Sequence, residues 1–113
     1  MKVSDLFGEI CFNPASGAGG LGEELTVELN TYTLYLSPET GGTITEIGDI
    51  FALMRKLANG SYMQVVEFGD NPVFLGSTRT EFKITDPGTF RVEKVLATTE
   101  AVGVYKVSGR EIA

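Results

Sequence analysis

The residue types that most often do chemistry are missing from this sequence or spaced for something else. No histidine occurs among its 113 residues, which removes Ser-His-Asp and Cys-His catalysis and every zinc site built on imidazole. The single cysteine, Cys11, lies in an apolar segment with no base nearby in sequence, the setting of an inert thiol rather than a nucleophile. Carboxylates are plentiful, 15 in all, and the closest pairs are Glu23-Glu24, Glu46 with Asp49, and Glu67 with Asp70. A glycoside hydrolase needs two carboxyl groups about 5–9.5 Å apart across a cleft, one of them with a raised pKa. Such enzymes also set aromatic rings under the sugar, and tryptophan is absent. Glu23, Glu24 and Glu28 alternate outward along a strand-like segment, so they read as solvated surface. Asp70-Asn71 offers too few oxygens for a calcium ion. Gly17–Gly22 has the glycine richness of a phosphate loop, but it follows Asn13-Pro14, leads into a strand and lacks the Lys-Ser/Thr pair. The expectation is a protein that is not an enzyme, with no catalytic, cofactor-binding or metal-binding residues.

The elements around these residues fit one domain, which at this length buries roughly two-thirds of the surface of its unfolded chain. With one cysteine no internal disulfide framework exists, so packing must hold the fold. The 14 glycines call for many tight turns. The formal charge is −6, from 15 acids and 9 bases scattered along the chain. No basic footprint for nucleic acid or an anionic membrane surface is visible. No apolar run approaches the roughly 20 residues of a membrane span, and the start lacks the apolar centre of a secretory signal. Intracellular synthesis is expected.

Along the chain, residues 1–22 form an N-terminal arm on a glycine-rich loop, with a short strand near Glu9–Asn13, and residues 23–113 form a single β-rich domain. Leu25, Val27 and Leu29 alternate with Glu24, Thr26 and Glu28, and Tyr32, Leu34 and Leu36 resume the pattern after Asn30-Thr31. Thr43-Ile44-Thr45-Glu46 has the form of a capping box. Ile44, Ile47, Ile50, Phe51, Met54, Leu57 and Ala58 fall on one side of a helical projection, which predicts one amphipathic helix over about residues 44–58. Ser61–Phe68 is a strand candidate with apolar residues on both faces, and Gly69-Asp70-Asn71-Pro72 signals a turn. The segments RTEFKIT, TFRVEKV and AVGVYKV then look like a meander of antiparallel strands. Asp86-Pro87-Gly88 suits a type II turn, and across it Lys83 and Arg91 would meet Glu93 and Glu81. The whole is mainly β, a β-sandwich or small barrel-like antiparallel sheet covered by the helix.

The late segment FKITDPGTFRVEKVLATTEAVGVYKV resembles the C-terminal part of small β-sandwich proteins of tailed-bacteriophage virions. The matching residues are Pro87, Gly88, Phe90, Arg91, Val92, Gly103 and Val104, and the resemblance covers about a quarter of the chain. It implies a non-enzymatic virion structural protein, first a capsid decoration or cement protein made in the bacterial host cytoplasm and bound to the assembled shell. The partner would be the major capsid protein or another virion protein, in a homo-oligomer, with no nucleic acid and no membrane. A phage tail, fibre or baseplate module and a carbohydrate- or ligand-binding β-domain are the alternatives; for the last, Tyr32 and Tyr105 are the rings to test. The expected partner interface is Val3, Leu6, Phe7, Ile10 and Phe12 from the arm, with Val95, Tyr105 and Val107 from the late strands.

Overall fold

A computed structural model describes residues 9–17, 19–28 and 31–108. Val3, Leu6 and Phe7 lie outside the described residues. The strands in chain order are β1 (Glu9–Gly17), β2 (Leu25–Val27), β3 (Tyr32–Pro38), β4 (Asp49–Lys56), β5 (Tyr62–Gln64), β6 (Val66–Glu67), β7 (Asn71–Pro72), β8 (Phe74–Gly76), β9 (Glu81–Ile84), β10 (Gly88–Lys94) and β11 (Thr98–Ser108). One antiparallel sheet runs β1-β11-β3-β9. The second runs β2-β10-β4-β5, with β8 also on β4, and β6 and β7 form a separate ribbon.

The two sheets share one core. Alternation along each strand supplies it: Leu34 and Leu36 from β3, Val102 and Val104 from β11, Phe90 and Val92 from β10, Leu25 and Val27 from β2. Phe12 of one sheet meets Phe51 of the other edge-on, with ring centroids 4.8 Å apart.

The amphipathic helix expected over residues 44–58 is not there, and no helix occurs among the described residues. Its second half is β4, which lies between β10 on one side and β8 and β5 on the other. Ile50, Phe51, Ala52 and Leu53 are all buried, a consecutive run that one face of a helix cannot bury. A bulge between Asp49 and Phe51 lets Ile50 turn in as well. Ile47, needed for the helical face, is 86% exposed. Cross-strand pairing of a central strand outweighed the local signal, since helix formation on its own is marginal over so short a segment.

The expected meander is also corrected. β9 and β11 belong to one sheet and β10 to the other, so Asp86-Pro87-Gly88 is an arch between sheets and not a hairpin turn. Gly88 takes φ 149° as the first residue of β10, and the Pro87 carbonyl accepts from Arg55 Nη2 at 2.8 Å. The pairing of Lys83 and Arg91 with Glu93 and Glu81 therefore does not form. Strand alternation says which residues turn inward, but not which sheet they join.

The glycine-rich loop is pinned at both ends of its described part. Gly22 N–H donates to Val92 O and Glu23 N–H to Cys11 O, each at 2.8 Å, while Gly20 O accepts from Lys94 N–H at 2.9 Å. A Cβ on Gly22 would lie 2.7 Å from Cys11 O, so only glycine fits this crossing between the sheets.

β4 divides its outer edge between β8 and β5, and the chain between them leaves the sheet at Leu53. Val65 N–H donates to Leu53 O, Leu53 N–H to Val73 O and Val73 N–H to Val65 O. Beyond this triangle the β6–β7 ribbon projects, turning through Gly69 and Asp70 with φ 84° and 60°. Phe68 beside that turn is fully exposed.

Candidate contact face

The outward faces of the two sheets differ in what their side chains are bonded to. On the β2-β10-β4-β5 sheet they bond to one another. Thr26 and Thr89 are a registered pair whose hydroxyls lie 3.3 Å apart. The Arg91 guanidinium lies over the Tyr62 ring at 3.7 Å. Tyr62 donates its hydroxyl hydrogen to Glu24, and Lys56 Nζ donates to the same oxygen at 3.2 Å. These bonds hold the Glu24 carboxyl below the usual carboxylate range, Tyr62 first and Lys56 second. Burial, and then the bond to Glu24, raise the Tyr62 phenol. This surface is knitted to itself.

Among the described residues, the outward face of the β1-β11-β3-β9 sheet is left open. Register sets Ile10 beside Tyr105, Tyr105 beside Tyr35, and Tyr35 beside Glu81, a row across four strands. Val107 pairs with Thr33 in the next row. Ile10 is 45% exposed and Tyr35 39%. Neither tyrosine hydroxyl is bonded to a described residue. Beside the rings, Ser37, Pro38, Glu39 and Val107 help line a shallow depression of about 400 Å³. An apolar and aromatic row with free hydroxyls at its surface suits contact with another molecule, because each ring offers large area and a polar tip.

Of the expected interface residues, the fold brings together Ile10, Tyr105 and Val107. Phe12 is elsewhere: it is 7% exposed and part of the core, because a register shift in β1 turns both Cys11 and Phe12 inward. Val95 is exposed in the β10–β11 connection, with its N–H on Ile50 O, and is not in the row. Tyr32 faces the opposite side of β3 from Tyr35, with Lys106 Nζ 5.4 Å from its ring centroid. Tyr35 is the member that sequence reasoning missed. Its signal was present, since it stands one residue from Leu34 and Leu36 and so must point away from the face they share.

The acidic pairs have other partners. Glu67 takes an ion pair with Arg79 at 2.6 Å. Glu46 Oε1 accepts from the Thr99 hydroxyl at 2.5 Å and the Thr99 N–H at 2.6 Å, and from the Glu100 N–H at 3.2 Å. Glu100 Oε1 returns the arrangement, accepting from the Thr45 N–H at 2.8 Å, the Thr45 hydroxyl at 2.9 Å and the Glu46 N–H at 3.2 Å. Both carboxyls are held below their ordinary range by these bonds, the opposite of what a proton donor requires. Among the described residues no group of three or more His, Cys, Asp or Glu side chains is placed to hold a metal ion. Burial pushes the Cys11 thiol up to about 11, which keeps it protonated and unreactive. Lys94 is 2% exposed and donates to Ala15 O at 2.8 Å and Thr98 Oγ1 at 2.7 Å, tying β1 to β10 and β11. Desolvation lowers its pKa.

Compared with family models, with curated proteins and with solved structures, the chain matches none.

Proposed function

We propose that this chain is a non-enzymatic structural protein of a tailed-bacteriophage virion, a capsid decoration protein that adheres to the major capsid protein and stabilises the assembled shell. The observation that carries the reading is the open row Ile10–Tyr105–Tyr35 on one sheet of a β-sandwich whose other outward face is already bonded to itself. The resemblance at Pro87–Val92 and Gly103-Val104 supplies the virion setting. A module bound only to the assembled shell shifts the assembly equilibrium by mass action, without any chemical step. A tail, fibre or baseplate surface would be met by the same face.

A second reading, a carbohydrate-binding domain, is favoured by the depression beside Tyr35 and Tyr105, where Ser37 and Glu39 stand next to aromatic rings. Stacking on a ring with hydroxyl and carboxylate groups at its margin is the chemistry that sugar recognition uses.

The test is co-sedimentation with capsids assembled from the major capsid protein encoded in the same genome, in parallel with a glycan array. Wild-type chain binds the capsids saturably, and Tyr35→Ala with Tyr105→Ala weakens binding at least about tenfold, as for central aromatic anchors. The urea midpoint stays close to wild type, because the row is not core. Capsid binding that is absent, or indifferent to both substitutions, overturns the first reading. Selective glycan binding lost in the same variant installs the second.

A further inference from the structure

We infer that the free edge of β9 is a self-complementary pairing edge, on which a second copy of this chain adds its own β9 across a two-fold axis. The inference is independent of which shell or glycan the outward face meets. Of the sheet edges, β9 is the regular one. β1 carries repeated register shifts, β2 has three residues, and the β5–β8 edge is interrupted where the β6–β7 ribbon leaves it. Among the described residues β9 pairs with β3 alone.

Which backbone groups face outward follows from the register. Leu36 N–H donates to Thr80 O at 2.7 Å, so residues 36 and 80 form a hydrogen-bonded pair. Along an antiparallel ladder such pairs recur at every second residue. Leu34 with Phe82 and Tyr32 with Ile84 are then bonded to β3 as well. The N–H and C=O groups of Glu81 and Lys83 are the ones that point to the free edge. Both residues are exposed, Phe82 is half-buried and Ile84 is buried.

An antiparallel copy whose Phe82 stands opposite Phe82 sets Glu81 against the second copy's Lys83, and Lys83 against its Glu81. Those are the residues whose backbone groups are aimed across the gap. The same register therefore satisfies the hydrogen bonds and both charges, and cross-strand opposite charges are favourable where like charges are not. The adjacent two-fold registers with correctly aimed backbone set Glu81 against Glu81 or Lys83 against Lys83. A charged edge strand ordinarily guards against pairing; here it excludes the wrong registers and leaves one. A copy seated there also covers apolar surface. Phe82 lines a groove of about 300 Å³ together with Val66 and the fully exposed Phe68. An isologous contact of this kind closes as a dimer and does not propagate. It joins the two four-stranded sheets into one, with the tyrosine rows on one continuous surface.

Sedimentation equilibrium of the full chain, from micromolar to millimolar concentration, tests this. The wild-type mass is expected to rise from 12.2 kDa toward twice that value. Glu81→Lys alone and Lys83→Glu alone each weaken association about tenfold. An equimolar mixture of the two single variants associates as a heterodimer, and the double variant regains wild-type behaviour, because both restore opposite charges at each pair. Both residues are exposed, and circular dichroism verifies the fold of each variant; if a single variant is unfolded, the double variant decides. A wild-type chain that stays at 12.2 kDa, an association that both single variants leave unchanged, or a mixture or double variant that stays weak overturns the inference.

Discussion

Glu46 and Glu100 act as a reciprocal pair, each following a threonine and each accepting from the other's Thr-Glu segment. They fasten the irregular stretch ahead of β4 to the start of β11. Because their folded pKa values lie below the ordinary 4.5, the unfolded chain binds more protons between the two values. Their contribution to stability is then full above about pH 4.5 and is lost as pH falls through the folded values. The wild-type urea midpoint should fall between about pH 5 and about pH 3. The Glu46→Gln, Glu100→Gln double variant should show a flatter profile over that interval, its amide oxygens still accepting but no longer titrating. An equally steep decline in the double variant would place the acid sensitivity elsewhere. The sequence held these residues in view under another meaning. Thr45-Glu46 has the composition of a helix cap because a cap also needs a hydroxyl and a carboxylate beside free N–H groups. The N–H groups that Glu46 caps belong to Thr99 and Glu100, more than 50 positions on, where no local pattern reaches.

Between neighbouring elements, what was legible was the inward alternation, and what was not was the pairing. Leu25 with Val27, Leu34 with Leu36, and Phe90 with Val92 are core as their spacing requires. The same alternation fits a hairpin or an arch, so the Pro87-Gly88 corner gave no sign that it changes sheets. β4 failed for a related reason: a central strand buried on both faces shows a solid apolar run, and a solid run also projects onto a helix. The exchange between β4 and β8 depends on one residue that sequence reading passed over. A Cβ on Gly76 would overlap the Gly48 carbonyl oxygen and stand 2.9 Å from Asp49 Cα. Both obstacles are backbone, so neither can swing aside. Gly76→Ala should cost roughly 3 kcal/mol in urea denaturation, toward the upper end for overpacking. Gly41→Ala is the contrast: its Cβ meets nothing within 4 Å, and only its φ of 81° opposes the change. A near-neutral Gly76→Ala would mean that the β4–β8 edge yields more readily than its spacing shows.

For the molecule as a whole, β11 is the organising strand. It pairs with β1 on one side and β3 on the other, and places Val102 and Val104 at the centre of the core. A chain ended before Thr98 keeps every strand of the second sheet but loses the strand that joins β1 to β3. It should remain unfolded by near-ultraviolet circular dichroism and by dispersion of amide resonances. A cooperative unfolding transition in that truncated chain would show that the second sheet is sufficient alone. The candidate face has the same dependence. Ile10 and Tyr35 are 25 positions apart and meet only because Tyr105 stands between them. Sequence pattern could nominate Ile10, Tyr105 and Val107 one at a time, but the row exists only once β11 is in place. Folding of such a molecule waits on long-range closure, which places it among the slower small domains.

The pairing of β1 with β11 also sets Glu9 opposite Lys106, with their charged groups 3.9 Å apart. The first and last parts of the described chain therefore lie side by side in the sheet. Glu9 and Lys106 thus stand at the β1 margin, with β3 between them and the β9 margin across the sheet. The two described ends are gathered on one side of the sheet and the proposed pairing edge lies on the other, which gives the molecule two unlike margins.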